Sequence, residues 1–396
     1  MGTSLEDRTR RWLPGSLATP TLLVDRARLE DNLVTMAQHA RDIGVALRPH
    51  AKTHKCLEIA RRQLALGARG LTVSTVGEAE VFADAGFDDL FIAYPVWAGG
   101  NAHRLVQLSR RVRLRVGVDS ADGCNALAEA LGTSRPAPRP VGSPALGGPG
   151  ARRPAPPVEV LVEIDSGHHR SGVLPEQAGD VAAAAARAGL EVAGVFTFPG
   201  HAYGKGAPPI AANDEATALD IAAVQLATRG FEVRVRSGGS TPTTAYTHPN
   251  TLDELRPGVY VGYDAQQLQL GTCSLDQVAF YVMATVVSVP APWRFVLDAG
   301  SKILGADRPP WMPGSGFVIG PGTKLMTISQ LSEHHAVVTL TREDLERGAT
   351  APVVGQRMAV LPNHLCAAVN LADELIVVED ESEVDRWSVA ARGRNT

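Results

Sequence analysis

The chain has 396 residues, 44% of them hydrophobic and 20% charged, which excludes a single small domain and excludes global disorder. Its 38 Lys+Arg against 42 Asp+Glu leave a net charge of -4, too balanced for nucleic acid or an anionic membrane to be the main partner, so a small molecule is expected. Four cysteines, Cys56, Cys124, Cys273 and Cys366, stand far apart with no CxxC pair, the usage of a reducing cytoplasm rather than of a disulfide framework.

The N-terminal MGTSLEDRTRRWLPGS is charged and has no apolar signal core, so no export is expected. Thr19–Asp25 reads as a strand that can pair with either of the domains that follow. Leu29, Leu33, Met36, Ala37 and Ala40 recur at helical spacing. From there β-rich runs alternate with helical patterns: Val45–Arg48, Leu71–Ser74, Leu90–Ala93, Val112–Asp119, Val158–Asp165, Val192–Thr197, Phe231–Arg236 and Val259–Tyr263. Eight strands with helical crossovers predict a TIM-like (β/α)8 barrel over 26–272; a doubly wound sheet loses ground because no GxGxxG joins a strand to a helix.

Thr133 to Pro157 interrupts the barrel with 12 Pro or Gly in 25 residues, the composition of a surface insertion that cannot build a core. Beyond residue 273 the pattern changes to β-branched runs, Val278–Val289, Phe295–Asp298, Ala336–Leu340, Arg357–Val360 and Glu374–Val378. They predict a second, mainly antiparallel β domain over 273–396, joined by residues 1–25 if Thr19–Asp25 pairs there. The longest apolar run, Val278–Val289, is too short to span a bilayer.

Three clusters carry chemistry. Arg48-Pro-His-Ala-Lys-Thr-His-Lys55 follows the first barrel strand, where a barrel presents its active site. Lys52 can act there as a Schiff-base amine if burial and cationic neighbours such as Arg48, His50 and His54 lower its pKa; a solvated basic loop or a phosphate clamp fits the composition as well. Ser237-Gly-Gly-Ser-Thr-Pro-Thr243 follows the seventh strand, where barrels form phosphate sites from backbone N–H groups and hydroxyls. A lysine and a phosphate loop together suggest pyridoxal phosphate. In Pro362-Asn-His364-Leu-Cys366, a strand would turn His364 and Cys366 to one face, where imidazole and thiolate can hold zinc with open positions; a buried strand cysteine beside a histidine is the plain alternative.

Together these residues resemble the D-threonine aldolase and D-serine dehydratase family, pyridoxal-phosphate enzymes related to alanine racemase, over nearly the whole chain apart from the insertion. The resemblance implies that Lys52 of RPHAKTHK carries the cofactor and that Arg170 of Glu163-Ile-Asp-Ser-Gly-His-His-Arg170 lies beside its ring. It implies that His201 and Tyr203 of Gly200-His-Ala-Tyr203 face cofactor and substrate, and that Gly238, Gly239 and Ser240 form the phosphate loop. Tyr263 and Asp264, ending Glu254-Leu-Arg-Pro-Gly-Val-Tyr-Val-Gly-Tyr263-Asp264, join the cofactor set, and His364 with Cys366 is the metal pair, for zinc or alternatively manganese. Asp298 and Lys302 match a stretch early in the β domain, where a plain ion pair between the domains is the other reading. Around Ser332-Glu-His-His335, His334 stands where the family has an acidic residue.

The implied activity is that of a lyase on β-hydroxy D-amino acids. A His/Cys zinc pair in this resemblance goes with dehydration of D-serine or D-3-hydroxyaspartate, with Lys52 as base; an aldolase, with His201 as base, is the alternative. A racemase would need a second base for which there is no clear candidate. A non-catalytic pyridoxal-phosphate carrier would need neither the metal pair nor the β domain. Relatives imply a homodimer in which one subunit's β domain completes the other's site.

Overall fold

The computed structural model describes residue 14 and residues 16–132, 158–320, 324–346, 350–380 and 382–396, so the insertion expected at 133–157 lies outside the described residues. The chain enters through β1 (Thr21–Asp25) and goes directly into helix Arg26–Asp42, whose first turn is capped by the Asp25 carboxylate accepting the Arg28 N–H at 3.0 Å. The helix buries the expected stripe, Leu29, Leu33, Met36, Ala37 and Ala40. No helix among the described residues is long and apolar enough to cross a membrane.

Eight parallel strands follow: β2 (Ala46–Leu47), β3 (Leu71–Val73), β4 (Asp89–Pro95), β5 (Arg113–Val118), β6 (Glu159–Glu163), β7 (Glu191–Phe196), β8 (Val235–Gly238) and β9 (Glu254–Leu255). They pair in the order β2-β9-β8-β7-β6-β5-β4-β3, and a parallel bridge between His50 and Thr72 joins the two ends, giving the expected TIM-like barrel. One strand assignment needs correction. Val259–Val261 is a 3-10 turn, and the eighth strand is the two-residue β9, which pairs with β2 and β8. The apolar run was the stronger propensity signal, but β9 carries the buried Glu254 that the barrel interior requires.

Strand alternation explains that interior, since inward residues recur at i and i+2. Asp89, Arg115, Glu159 and Glu254 project inward at the N-terminal end, where Arg48 Nε lies 2.9 Å from Glu254 and Arg115 Nη1 3.3 Å from it. Arg48 also binds Asp89 at 2.6 Å and Arg115 binds Glu159 at 2.7 Å. Above this layer Phe91 and Phe196 meet edge to face at 5.1 Å, and the Arg256 guanidinium lies over both rings. Because Glu254 serves two buried guanidinium groups, Glu254→Ala is expected to destabilise the protein by about 3 kcal/mol or more, read from urea unfolding. A loss within about 0.5 kcal/mol, the range of ordinary surface changes, would show that the network carries no stability.

The rest is antiparallel: β10 (Phe280–Ala291), β11 (Arg294–Leu297), β12 (Phe317–Ile319), β13 (Leu325–Leu331), β14 (Ala336–Thr339), β15 (Arg357–Leu361), β16 (Glu374–Glu379) and β17 (Ser382–Ser388). The order β11-β14-β13-β12-β15-β10 closes on itself through a β10–β11 pairing, giving a closed β domain. Strand β1 extends it, antiparallel to β10 and parallel to β16, which settles the placement the sequence left open. Asp298 and Lys302 do not pair: Asp298 accepts from Thr19 Oγ1 and the Thr285 N–H, while Lys302 meets Glu333 at 3.1 Å.

Candidate active site

After β2 the chain turns at Pro49 into a short 3-10 helix, Ala51–Thr53, so that Lys52 stands at the C-terminal mouth of the barrel. The His50 imidazole starts this turn, its Nδ1 3.5 Å from the Lys52 N–H. Lys52 Nζ lies 5.4 Å from the centroid of Phe198, whose ring also meets the Arg170 guanidinium at 5.3 Å. Two cavities meet at Lys52, sharing with it His50, Phe198 and Arg256. The first, about 450 Å³, is walled by Tyr203, Ser240, Thr241, His364 and Cys366, with His168, Gln266 and Asp307 around them. The second, about 600 Å³, opens toward Ser74, Thr75, Tyr94, Asp119, Arg170 and Asn395.

The surroundings weaken the hold of the Lys52 amine on its proton. Burial lowers the Lys52 pKa first, Cys366 opposes it, and the cations Arg170 and Arg256 push it down further. Arg48 plays no such part. It is held at the barrel floor by Asp89 and Glu254, which outweigh burial and keep it firmly charged. His50 falls well below its usual range through burial and the nearby Lys52 and Arg256, so it is a neutral imidazole. His54 points away from the cavities, its Nδ1 accepting the Cys56 N–H at 3.1 Å, and burial lowers its pKa to about 4.

That depression fixes a sign. A folded pKa of about 4 against an unfolded 6.5 means the unfolded chain binds the proton more readily; the stability from neutral His54 is complete above pH 6.5 and lost as pH falls toward 4. Between pH 7 and pH 4 the wild type is expected to lose about 3 kcal/mol more than His54→Asn, measured by urea unfolding at each pH. Parallel losses in the two proteins would contradict this.

Ser240 and Thr241 reach the first cavity, but the Gly239 N–H, at φ 81°, turns back to the Glu215 carboxylate at 2.6 Å. A Cβ at Gly238 would come within 2.4 Å of the same carboxylate, so this glycine is needed for close packing and does not line the cavity. Glu215 is buried on helix Pro208–Thr228, and burial raises its pKa to about 7. Arg256 stands in the same motif as Tyr263 and Asp264. Its backbone N–H binds Gly238 O at 2.8 Å, its Nη2 donates to Thr197 O, and its Nε is a buried donor without a partner among the described residues. Hydroxyls beside a guanidinium with an unpaired Nε–H among the described residues suit a phosphorylated anion.

His364 and Cys366 are not on a strand. Strand β15 ends at Leu361, Asn363 anchors the turn by donating to Asp307 O and Gly314 O, both at 2.8 Å, and His364 is the N-cap of helix Leu365–Leu371. His364 and Cys366 therefore converge through the first helical turn rather than through strand alternation. Asp264 is behind the cavity wall: its carboxylate caps helix Ala265–Leu270, accepts the Leu365 N–H at 3.0 Å and lies 3.3 Å from His364 Nδ1. It orients His364 as a carboxylate orients a metal-bound imidazole. Burial works against charge on both members of the pair, yet the Cys366 thiolate and Asp264 hold His364 well above its usual range, and His364 brings Cys366 down. Cys366 Sγ lies 3.3 Å from Thr53 Oγ1, next to Lys52. Two soft-to-borderline donors facing open space fit a metal with free positions; no cluster of three or more His, Cys, Asp or Glu able to hold a metal exists among the described residues.

Tyr203 lines the first cavity, and burial raises its pKa, so the phenol keeps its proton. His201 does not line either cavity: its Nε2 faces Asp214 Oδ2 at 3.3 Å. His168 lines the first cavity as His50 and His364 do, and it packs where a Cβ on Gly200 would stand, 2.6 Å from its ring. Tyr263, in the left-handed region at φ 52°, packs into the hydrophobic core instead of facing the cavities. The sequence reading gave no role to Phe198, Gln266 or Asp307.

A barrel mouth with a buried amine, covered by a closed β domain that supplies an imidazole–thiolate pair, defines an alanine racemase-like enzyme. The chain belongs to this family: the alanine racemase N-terminal domain matches residues 24–264, and a serine dehydratase domain matches residues 279–378. It is 34% identical over 392 residues to the D-threonine aldolase of Arthrobacter sp, covering 95% of this chain and 93% of that one. It is 32% identical over 374 residues to the D-threo-3-hydroxyaspartate dehydratase of Delftia sp., covering 89% and 92%. The structure of that dehydratase superposes with a TM-score of 0.80 at 28% identity, covering 94% of this chain and 97% of that one. The D-threonine aldolase of Filomicrobium marinum gives 0.80 at 29%, covering 98% and 96%.

Proposed function

We propose that the chain is a pyridoxal-phosphate- and metal-dependent lyase on β-hydroxy D-amino acids, most closely a D-serine dehydratase, releasing a 2-oxo acid and ammonia. The observation that carries this is the single cavity in which Lys52, the Ser240–Thr241 hydroxyls and the His364–Cys366 pair meet. Lys52 would hold the cofactor, Ser240, Thr241 and Arg256 its phosphate, and His364 with Cys366 a zinc ion, manganese being the alternative. When bound, the two groups supply an electron sink for Cα and a Lewis acid for the β-hydroxyl.

The protein's own residues do the rest. Lys52 Nζ takes the Cα proton, helped by the burial and the Arg170 and Arg256 cations that lower its pKa. Phe198 packs beside Lys52 and Arg170 and gives the ring an apolar wall. Tyr203, protonated, offers an O–H to an oxygen or ring nitrogen in the first cavity. Asp264 holds the His364 ring in place.

An aldolase is the second reading, favoured by His168, a neutral-leaning imidazole at the first cavity that can take a proton from the β-hydroxyl. The geometry favours it over His201, whose contact with Asp214 makes it a residue behind the wall. Product analysis separates the readings: with cofactor and zinc, D-serine and D-threonine should give pyruvate and 2-oxobutanoate with ammonia. Glycine and acetaldehyde from D-threonine would mean the aldolase, and no response of the cofactor's spectrum to any D-amino acid would mean a carrier. The homodimer belongs to the same reading and is checked by light scattering.

A further inference from the structure

Lys55 ends the loop that carries Lys52. Its backbone sits in the left-handed region at φ 49° and only 5% of the residue is exposed. A buried ammonium in such a conformation needs partners, and it has three from three segments. Glu78 Oε1 lies at 3.3 Å in helix Val76–Asp84, Asn370 Oδ1 at 2.7 Å in helix Leu365–Leu371, one turn beyond Cys366, and Asn395 Oδ1 at 3.2 Å. The segment bearing Asn395 is itself fastened to the barrel. The Ala391 N–H donates to Lys55 O at 3.1 Å, Thr75 Oγ1 to Arg394 O at 2.6 Å, and the Gly77 N–H to Thr396 O at 2.8 Å.

Asn395 lines the second cavity beside Thr75 and Arg170. An ammonium only donates, so the amide oxygen must face Lys55, and what Asn395 can offer the cavity is its pair of N–H donors. The second cavity shares Lys52 with the first but has neither the phosphate loop nor the metal pair. With the phosphate and the β-hydroxyl placed in the first cavity, the polar substituent of Cα left for the second is the α-carboxylate. A guanidinium and an amide are donors suited to it.

We propose that Asn395 is a specificity-determining residue that binds the substrate's α-carboxylate, and that Lys55 is the positioning residue that aims it. This rests on the lyase reading above. The test titrates cofactor-loaded wild type, Asn395→Ala and Lys55→Met with D-serine and with ethanolamine, which keeps the amine and hydroxyl but lacks the carboxylate. The cofactor's absorbance, read by stopped flow before the first turnover, reports binding. Asn395→Ala should weaken D-serine by about 10- to 100-fold and leave ethanolamine and cofactor affinity unchanged, with Lys55→Met shifting D-serine the same way. Equal weakening of both ligands by Asn395→Ala, or unchanged D-serine binding, overturns the proposal. A wild type that takes up no cofactor overturns the lyase reading, and this inference with it.

Discussion

Replacing Lys52 with alanine is expected to lower turnover of D-serine by at least about 10,000-fold, because one side chain is asked both to hold the cofactor and to move the Cα proton. Lys52→Arg should fare no better, since a guanidinium stays protonated at any pH the protein survives. The same reading gives the acid limb of the pH profile a direction. Arg170 is one of the cations that lower the Lys52 pKa, so Arg170→Leu should move that limb to higher pH as well as slow the reaction. A limb that stays in place would show that Lys52 is not the titrating base. A Lys52→Ala enzyme with full activity would end the mechanism altogether.

The second large effect concerns the metal. His364→Ala and Cys366→Ala should each abolish stoichiometric zinc binding, read by elemental analysis after dialysis, and reduce turnover by about 100- to 1,000-fold if the Lewis acid supplies several kcal/mol at the leaving hydroxyl. Asp264→Asn, which leaves both ligands in place but weakens the hold on His364 Nδ1, should cost about 10- to 100-fold in metal affinity. Activity that survives both chelation and His364→Ala would remove the metal from the account. Cys366→Asp is informative in another way: it should keep the metal, and a change of product from 2-oxo acid to glycine and aldehyde would tie the reaction type to the thiolate.

Much of this architecture was legible in the residues, and the places where it was not have physical causes. The barrel strands stood out because each is a short apolar run between helical patterns, and Leu29 to Ala40 announced the first helix by spacing. Strand β9 was hidden because two residues carry no propensity signal and one is a glutamate, stabilised only by arginines distant in sequence. His364 and Cys366 were found as a pair but not as a helix N-terminus. The Leu-Cys-Ala-Ala-Val-Asn-Leu run had helix formers enough, and the carboxylate that helps fix it, Asp264, lies 100 residues away. The same separation explains why Arg48, Tyr263 and His201 do not line the cavities. The partner that turns each of them away, Asp89 and Glu254, the hydrophobic core, or Asp214, comes from another element. Phe198 had no signal at all, since one phenylalanine after a strand is ordinary.

In the proposed function Lys52 holds an aldehyde cofactor between the Ser240–Thr241 hydroxyls and the His364–Cys366 pair. The most direct measurement is borohydride reduction of the protein after incubation with pyridoxal 5'-phosphate, followed by peptide mass mapping. A single phosphopyridoxyl group on the peptide containing Lys52, absent after Lys52→Ala, is the result expected. Labelling spread over exposed lysines such as Lys302, or none, would contradict it.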